Sequence, residues 1–255
     1  MKLIVLVDNH SLIDNYYLAE PALSFYIEDD DKKILFDTGY SDVIIKNAKA
    51  MNIDLTKINT IVLSHGHNDH TGGLVYLKDL KQNIDLYCCE NVDEEKIHNN
   101  HIITCPIKLN KLPNNFKLHI SNNPQTISKH LIFMGKIDRV IQPLRMLGND
   151  PLFDDSALLY KDDSKISIIT GCSHSGICNI VNQAKNISGI SKINKIIGGF
   201  HLLNNISITN EVCEYFARQD INEVSPCHCT DLISKIALSK VVKINEIGVS
   251  SIVEF

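Results

Sequence analysis

The chain has 255 residues, of which 44% are hydrophobic and 22% are charged, and its formal net charge is -5 at pH 7. This composition is typical of a globular protein with a sizeable core, and the negative charge argues against nucleic acid or an anionic membrane as a partner. We interpret residues 1–255 as one domain that binds a small-molecule substrate, and we leave association into homo-oligomers open.

The first residues predict a strand rather than a leader. The run MKLIVLVD at residues 1–8 is too short for a signal peptide and lacks a small-residue cleavage site. No apolar stretch approaches the roughly 20 residues that a membrane span needs. We therefore expect a cytoplasmic protein without membrane contact, whose eight cysteines are thiols in a reducing compartment.

The first half of the chain predicts a β-rich opening followed by alternating elements. Ser41 is a suitable helix cap, and the three aspartates at residues 29–31 suit a hairpin turn. A second helix is predicted to begin near Gly72. The other predicted elements are strands at 3–7, 22–28, 33–36 and 60–64 and a helix at 41–51.

Residues 91–150 are rich in Asn and Lys without sustained periodicity, and we interpret them as a variable, substrate-facing insert. Strands and helices alternate again after this segment, which indicates a layered α/β fold. The predicted elements are a hairpin at 157–160 and 165–170, helices at 176–186 and 210–219, and strands at 195–198 and 223–226.

Three imidazoles and a carboxylate lie within the segment HGHNDH at residues 65–70, directly after an apolar strand. Imidazole and carboxylate are ligands that divalent metal ions prefer, and alternation along the chain sends two histidines to one side. We expect His65 and His67 to bind one ion, and Asp69 and His70 to bind a neighbouring ion.

Three later histidines each follow an apolar strand, at the edge of a sheet where ligands gather. His174 and His228 are our choices to complete a two-metal centre, with Cys172 as a rival thiolate ligand. His201 is assigned to substrate contact or proton transfer. The segments are GCSH at 171–174, GGFH at 198–201 and PCHC at 226–229.

Seven of the eight cysteines divide into two groups. Cys172, Cys227 and Cys229 stand beside histidines, so we expect that these three thiols can contact metal. We expect the second group to be small hydrophobic residues of the core; its members are Cys88, Cys89, Cys105 and Cys213.

The segment HGHNDHTGGL at residues 65–74 resembles the signature of the metallo-β-lactamase superfamily, and ILFDTG at 34–39 resembles its first motif. The resemblance covers nearly the whole chain. It implies an α/β fold, a four-layer αββα sandwich, in which Asp37 organises the metal loop through hydrogen bonds rather than binding metal.

The later motifs at 171–174, 198–202 and 226–230 resemble one branch of that superfamily. The branch includes the 7,8-dihydropterin-6-methyl-4-(β-D-ribofuranosyl)aminobenzene-5'-phosphate synthases of methanopterin biosynthesis and many metal-dependent hydrolases. The chain reads GKIDR at 135–139 where the branch tends to have GEIPR, so the metal motifs are kept while the substrate contacts differ.

These patterns favour a metal-dependent hydrolase acting on an ester, lactone or phosphate-containing small molecule. Two divalent ions, with zinc favoured over iron, manganese or magnesium, would activate a shared water as the nucleophile. Asp69 would hold the second ion and orient that water, and His201 would protonate the leaving group.

Two other functions stay open. A dihydropterin-diphosphate-dependent synthase would bind the diphosphate leaving group, with Arg139 or Arg145 as a phosphate clamp, although each arginine is also consistent with a solvated surface residue. A metal-retaining sensor or a redox module cycling Cys227 and Cys229 is the second alternative.

Overall fold

Two β-sheets pack face to face at the centre of the protein, and helices cover their outer faces. The structure is a computed structural model that describes residues 1–141 and 152–255. Within these ranges each of the two large sheets contains seven strands, and a short two-stranded hairpin lies outside them.

The first half builds one sheet and most of its helical cover. Its strands are β1 (Lys2–Val7), β2 (Ser24–Asp29), β3 (Lys32–Phe36), β4 (Thr60–Val62), β5 (Ile84–Cys88), β6 (Ile97–His98), β7 (His101–Ile102) and β8 (Phe116–Ile120). Its helices are α1 (Val43–Ala50), α2 (Asn68–Thr71) and α3 (Leu74–Leu77), with 3-10 turns at Leu55–Lys57 and Leu109–Lys111.

The second half of the chain forms the other sheet and contributes one edge strand to the first sheet. Its strands are β9 (Gln125–Thr126), β10 (Leu131–Phe133), β11 (Ala157–Lys161), β12 (Ile166–Thr170), β13 (Ile193–Gly198), β14 (Ile221–Pro226), β15 (Lys243–Ile244) and β16 (Ile252–Glu254). Its helices are α4 (Ile177–Ser188), α5 (Ile206–Phe216) and α6 (Leu232–Leu238).

Strand order places the metal-motif loops on neighbouring strands. The first sheet runs β16-β1-β2-β3-β4-β5-β8 and the second runs β15-β14-β13-β12-β11-β10-β9. The strands β3, β4, β5 and β8 are parallel, as are β12, β13, β14 and β15. The carboxyl ends of each parallel group therefore meet at one edge of their sheet, where functional groups commonly gather.

Three buried apolar layers account for the four-layer architecture. Phe36 and Phe133 belong to the layer between the sheets, to which both sheets contribute. Ile44 of α1 packs with the outer face of the first sheet, and Val181 of α4 packs with the outer face of the second. Burying each such side chain stabilises the fold by about 1.5–3 kcal/mol. The predicted αββα sandwich is confirmed.

Most predicted elements match the structure, with shifted ends. The helix predicted at 41–51 is α1; its N-cap is Asp42 rather than Ser41, although the Ser41 hydroxyl accepts a hydrogen bond from the Val43 amide at 3.2 Å. The segment predicted as a substrate-facing insert at 91–150 also contributes strands to both sheets. Strand β8 joins the first sheet, and β9 and β10 join the second. These strands are short and irregular in pattern, so period-two alternation did not reveal them.

No helix between residues 1 and 141 or between 152 and 255 combines the length and apolar character that crossing a bilayer requires.

Candidate metal centre

Seven donor side chains from both halves of the chain converge where the strand ends of the two sheets meet. Four come from the loop and short helix after β4, and the others follow β12 and β14. They form two sets, in each of which the donor atoms lie within 4.8 Å of one another. The sets are His65, His67 and His174, and Asp69, His70, Cys172 and His228.

The first set consists of three buried imidazoles. The ring centroids of His65 and His67 are 4.6 Å apart, and the His174 ring lies 4.7 Å from His65 and 5.0 Å from His67. All three rings are steeply tilted to one another, so they do not stack as planes. Their nitrogen atoms instead point toward a common centre, which is the arrangement of a three-histidine metal site.

The first set has unsatisfied nitrogen atoms that fit a cation. Among the described residues, Nε2 of His65 and both ring nitrogens of His174 are buried without a hydrogen-bond partner. Such atoms cost free energy unless something binds them. Burial and then the neighbouring imidazoles hold the pKa of His65 and of His174 well below the ordinary value, so both rings are neutral and able to donate a lone pair.

The second set has the spacing of a tetrahedral site. Nε2 of His70 lies 3.1 Å from Sγ of Cys172, 3.2 Å from Nε2 of His228 and 3.6 Å from Oδ2 of Asp69. Nε2 of His228 and Oδ2 of Asp69 lie 3.4 Å apart. Four ligands bound at about 2.0–2.3 Å to a tetrahedral ion are about 3.3–3.8 Å apart, so these donors fit zinc with only small adjustments.

Electrostatics at the second set also favour a cation. Burial would raise the pKa of Asp69, but His70 and His228 hold it below its ordinary value. Burial would lower the pKa of His228, but the hydrogen bond to Asp69 and the negative charges of Cys229, Asp69 and Asp8 raise it to about 9. The groups that retain a proton on His228 would favour a divalent ion in the place of that proton.

Hydrogen bonds at Nδ1, the ring nitrogen on the side away from the centre, orient the two imidazoles of the second set. Nδ1 of His70 lies 2.7 Å from Oδ2 of Asp37, and Nδ1 of His228 lies 2.8 Å from Oδ1 of Asn9. Because these oxygens accept, each Nδ1 carries a proton, and each Nε2 is the ring nitrogen that would bind a cation at the centre once any proton on it is displaced. Oδ1 of Asp8 also accepts a hydrogen bond from the His228 amide at 2.9 Å. From the sequence, Asp8 and Asn9 are as consistent with the mouth of the pocket as with a polar loop joining the first strands, so they carry no predicted catalytic role.

A buried ion pair supports the metal loop at Gly66. Asp154 accepts a hydrogen bond from the Gly66 amide at 2.7 Å and lies 3.3 Å from Nζ of Lys96. A Cβ at Gly66 would lie 1.8 Å from the carbonyl oxygen of Val92, so the loop requires glycine between His65 and its neighbours. This support could not be predicted from the sequence, because Lys96 lies in a polar stretch that suggests solvent exposure.

A cleft of about 430 Å³ opens over the donors. Asp69, His174 and His228 are among the donors that line this cleft. It is also lined by His98 of the β6–β7 hairpin and by Ile103, which follows that hairpin. The Asn68 amide donates to the Ile103 carbonyl at 2.8 Å, which ties this segment to the metal loop. The volume lies in the range of small-molecule sites.

The remaining candidates occupy different positions. His201 lines the cleft, with its ring centroid 4.2 Å from that of His174. Arg139 is absent from the described residues that line the cleft; its guanidinium donates to the Leu152 carbonyl at 2.7 Å and to the Ser175 hydroxyl at 3.3 Å. This position does not match a phosphate clamp, because the guanidinium already holds a neighbouring loop. Arg145 lies outside the described residues.

The cysteines beside histidines do not all reach the site. Cys227 is fully buried in the layer between the sheets and belongs to none of the donor clusters found among the described residues. Strand β14 ends at Pro226, and His228 has a left-handed φ of 51°, so the chain turns between the two cysteines: Cys227 faces inward while Cys229 lines the cleft. The expectation that Cys227 contacts metal is therefore wrong. Cys88, Cys89 and Cys105 are buried as expected, and Cys213 is half-buried.

The fold and the site together define an αββα protein with a candidate two-ion centre at the edge of its sheets. The chain belongs to the metallo-beta-lactamase superfamily, whose sequence profile matches residues 18–178. This membership confirms the resemblance that the HGHNDH segment suggested.

Two curated proteins of Methanocaldococcus jannaschii are similar along most of their length. One is a 7,8-dihydropterin-6-methyl-4-(beta-D-ribofuranosyl)-aminobenzene-5'-phosphate synthase, 28% identical over 90% of this chain and 87% of the relative. The other, an uncharacterised protein, is 31% identical over 92% of this chain and 93% of the relative. The crystal structure of Tm1679, a metal-dependent hydrolase of the beta-lactamase superfamily, matches with a TM-score of 0.87 and 26% identity, covering 100% of this chain and 99% of that one.

Proposed function

We propose that this protein is a hydrolase that uses two divalent cations, with zinc favoured, on an ester, lactone or phosphate-containing small molecule. The observation that carries the proposal is the convergence of seven donors in two adjoining sets beneath one cleft, which five of the seven donors line. His65 of the first set and His70 of the second have ring centroids 4.2 Å apart, so ions in the two sets would be neighbours.

The donor types support zinc as the ion. Five imidazoles, one thiolate and one carboxylate make up the two sets. Zinc and iron accept nitrogen and sulfur ligands, whereas magnesium and manganese prefer oxygen. Two such cations would lower the pKa of a water molecule between them and polarise a carbonyl or phosphoryl oxygen of the substrate.

Two side chains are proposed to act directly on the reacting groups. Asp69 lines the cleft beside both donor sets, where its carboxylate can accept a hydrogen bond from the attacking water and so orient it. His201 also lines the cleft and is 9% exposed, so it can deliver a proton to a leaving group bound there.

A synthase of the dihydropterin-diphosphate type is the second candidate. The observation that favours it is the 28% identity to the methanopterin-pathway synthase over 90% of this chain. In that reaction the cleft would bind a hydroxymethyl-dihydropterin diphosphate, and an aromatic carbon would displace the diphosphate. The predicted clamp at Arg139 would first have to release the Leu152 carbonyl.

One experiment separates these functions. Metal content of the purified protein is measured by elemental analysis, and the same preparation is assayed with a lactone, a phosphodiester and a pterin diphosphate. Hydrolysis of the first or second substrate supports the hydrolase, and condensation of the third supports the synthase. Turnover of none by metal-loaded protein would contradict both and favour a metal-retaining sensor.

The matched variants are His67→Ala and His101→Ala. His67 is 4% exposed and belongs to the first donor set, whereas His101 is exposed on the β6–β7 hairpin and belongs to none of the donor clusters within the described residues. We expect His67→Ala to lose both metal and turnover while His101→Ala keeps both. Full turnover in His67→Ala after metal loss would contradict the proposal.

A further inference from the structure

A third donor cluster lies beside the second set. Its members are Cys172, His201 and Cys229, whose ligand atoms lie within 4.8 Å of one another. The three residues follow β12, β13 and β14, so three separate strand ends bring them together. Cys172 is 3% exposed and His201 is 9% exposed.

The backbone around the cluster is shaped to bring these side chains together. A Cβ at Gly199 would lie 2.5 Å from Sγ of Cys229 and 3.4 Å from Cα of Cys172, so the absence of a side chain there creates the space that the Cys229 thiol occupies. His201 has a φ of 48°, a left-handed conformation that non-glycine residues rarely adopt. Such conformations persist where surrounding contacts fix them, commonly at functional sites.

Hydrogen bonds connect the loops that carry the cluster. The Gly199 amide donates to the Gly171 carbonyl at 2.8 Å, and the Ser173 hydroxyl donates to the Gly199 carbonyl at 2.6 Å. The Phe200 amide donates to the Thr230 hydroxyl at 2.9 Å. The three donors are therefore held on one interlocked framework rather than on independent loops.

We propose that Cys172, His201 and Cys229 bind a third, thiolate-ligated zinc ion, with Cys172 bridging this ion and the second set. A ring nitrogen that binds zinc carries no proton to transfer, so in the zinc-loaded site this ligand role of His201 replaces the proton-transfer role given above. Two cysteines and one histidine are the protein ligands of known open zinc sites, in which the fourth position is left for water or substrate. His201 and Cys229 both line the cleft, so the open position of this ion faces the substrate space.

The third ion would narrow the substrate class. Its two thiolates would offset the charge of the ion, but its open position would lie at the cleft beside the proposed two-ion centre, where an anionic group of the substrate would complete its coordination. This favours the phosphate-containing members of the proposed substrates over neutral lactones. The inference rests on the proposed function, because Cys172 is shared with the second set.

Zinc binding to reduced, chelator-treated protein tests the third site. We expect the wild-type chain to retain one more zinc ion after gel filtration than Cys229→Ser or His201→Gln. The matched control is Cys213→Ser, which removes a half-buried thiol on α5 and should retain the wild-type zinc content. Cobalt substitution gives a second readout, since the thiolate-to-cobalt absorption should weaken in Cys229→Ser and stay unchanged in Cys213→Ser.

The outcomes are distinguishable from failure of the proposed function. Equal zinc content in the wild type, Cys229→Ser and His201→Gln, at two ions per chain, would overturn the third site alone. A wild-type protein that binds no zinc would overturn both proposals. A disulfide between Cys172 and Cys229 in metal-loaded protein, detected by peptide mass spectrometry, would also overturn the third site. Circular dichroism of each variant verifies that it is folded.

Discussion

Asp37 and His70 form a fully buried pair in which Oδ2 of the carboxylate lies 2.7 Å from Nδ1 of the ring. The other carboxylate oxygen accepts a hydrogen bond from the Ser64 amide at 2.7 Å. Asp37 thereby connects the end of β3 with the metal loop after β4 and fixes the tautomer that leaves Nε2 of His70 facing the centre.

The first prediction concerns this pair. Asp37→Asn preserves the size of the side chain but weakens the hold on His70, so we expect zinc affinity at the second set to fall about 10- to 100-fold. Competition with a chromophoric chelator measures the change. The control is Asp85→Asn, because Oδ1 of Asp85 lies 2.7 Å from Nε2 of His119 in a partly exposed pair outside both metal sets. An equal loss in both variants would contradict the assigned role of Asp37.

The second prediction concerns the buried pair between Lys96 and Asp154, which are 5% and 2% exposed. Asp154→Ala leaves the buried lysine charge without its carboxylate, with only the Asn91 carbonyl at 3.1 Å as a hydrogen-bond partner, and removes the hydrogen bond to Gly66. We therefore expect the free energy of unfolding to fall by about 3–5 kcal/mol. Urea denaturation measures this change.

Glu214→Ala is the control for that experiment, because it breaks a pair with Arg218 in which both side chains are more than 70% exposed. Its effect should stay within about 1 kcal/mol. A comparable loss of stability in the two variants would show that the Lys96–Asp154 pair does not support the metal loop.

The third prediction concerns pH. Burial would raise the pKa of Glu223, but hydrogen bonds with Lys243, Asn245 and Lys195 lower it from 4.5 to about 2. Because the folded pKa lies below the unfolded one, the carboxylate contributes stability above about pH 4.5 that is lost as the pH falls toward 2.

The measurement compares wild type and Glu223→Gln in chelator, so that metal release does not contribute. We expect the wild type to be more stable by on the order of 1–3 kcal/mol at pH 6 and the difference to shrink as the pH falls to 3. Glu214→Gln, at an exposed position, should show no such pH-dependent difference. A difference that stayed constant between pH 6 and 3 would contradict the lowered pKa.

The fourth prediction tests the β6–β7 hairpin as a wall of the substrate site. His98 lines the cleft, whereas His101, its cross-strand partner, is exposed and is not among the described residues that line it. With whichever substrate the assay panel identifies, we expect His98→Ala to raise KM about 5-fold with little change in kcat. His101→Ala should match the wild type. An unchanged KM in His98→Ala would exclude this wall from substrate binding.

The local parts of the site could be predicted from the sequence. The metal loop lies in six consecutive residues, so its donor types and spacing are visible without knowledge of the fold. His174 and His228 could be placed because each follows an apolar strand, and parallel strands bring such positions to one edge. The structure brings both rings to the 65–70 loop.

The supporting contacts could not be predicted in the same way. Asn9 and His228 are 219 positions apart in the chain, and no periodic pattern relates them. The Asp154–Gly66 hydrogen bond spans 88 positions and depends on a lysine whose sequence surroundings suggest a surface. Cys227 was misassigned because its neighbours suggested metal, while its side chain lies between the sheets.

The central claim is that two cations bind to the two donor sets. Anomalous diffraction at the zinc edge, on crystals of reduced protein grown with zinc, tests it most directly. We expect one peak between the nitrogens of His65, His67 and His174, and a second enclosed by Asp69, His70, Cys172 and His228. Crystals with zinc in neither position, at a zinc concentration that saturates binding in solution, would contradict the account.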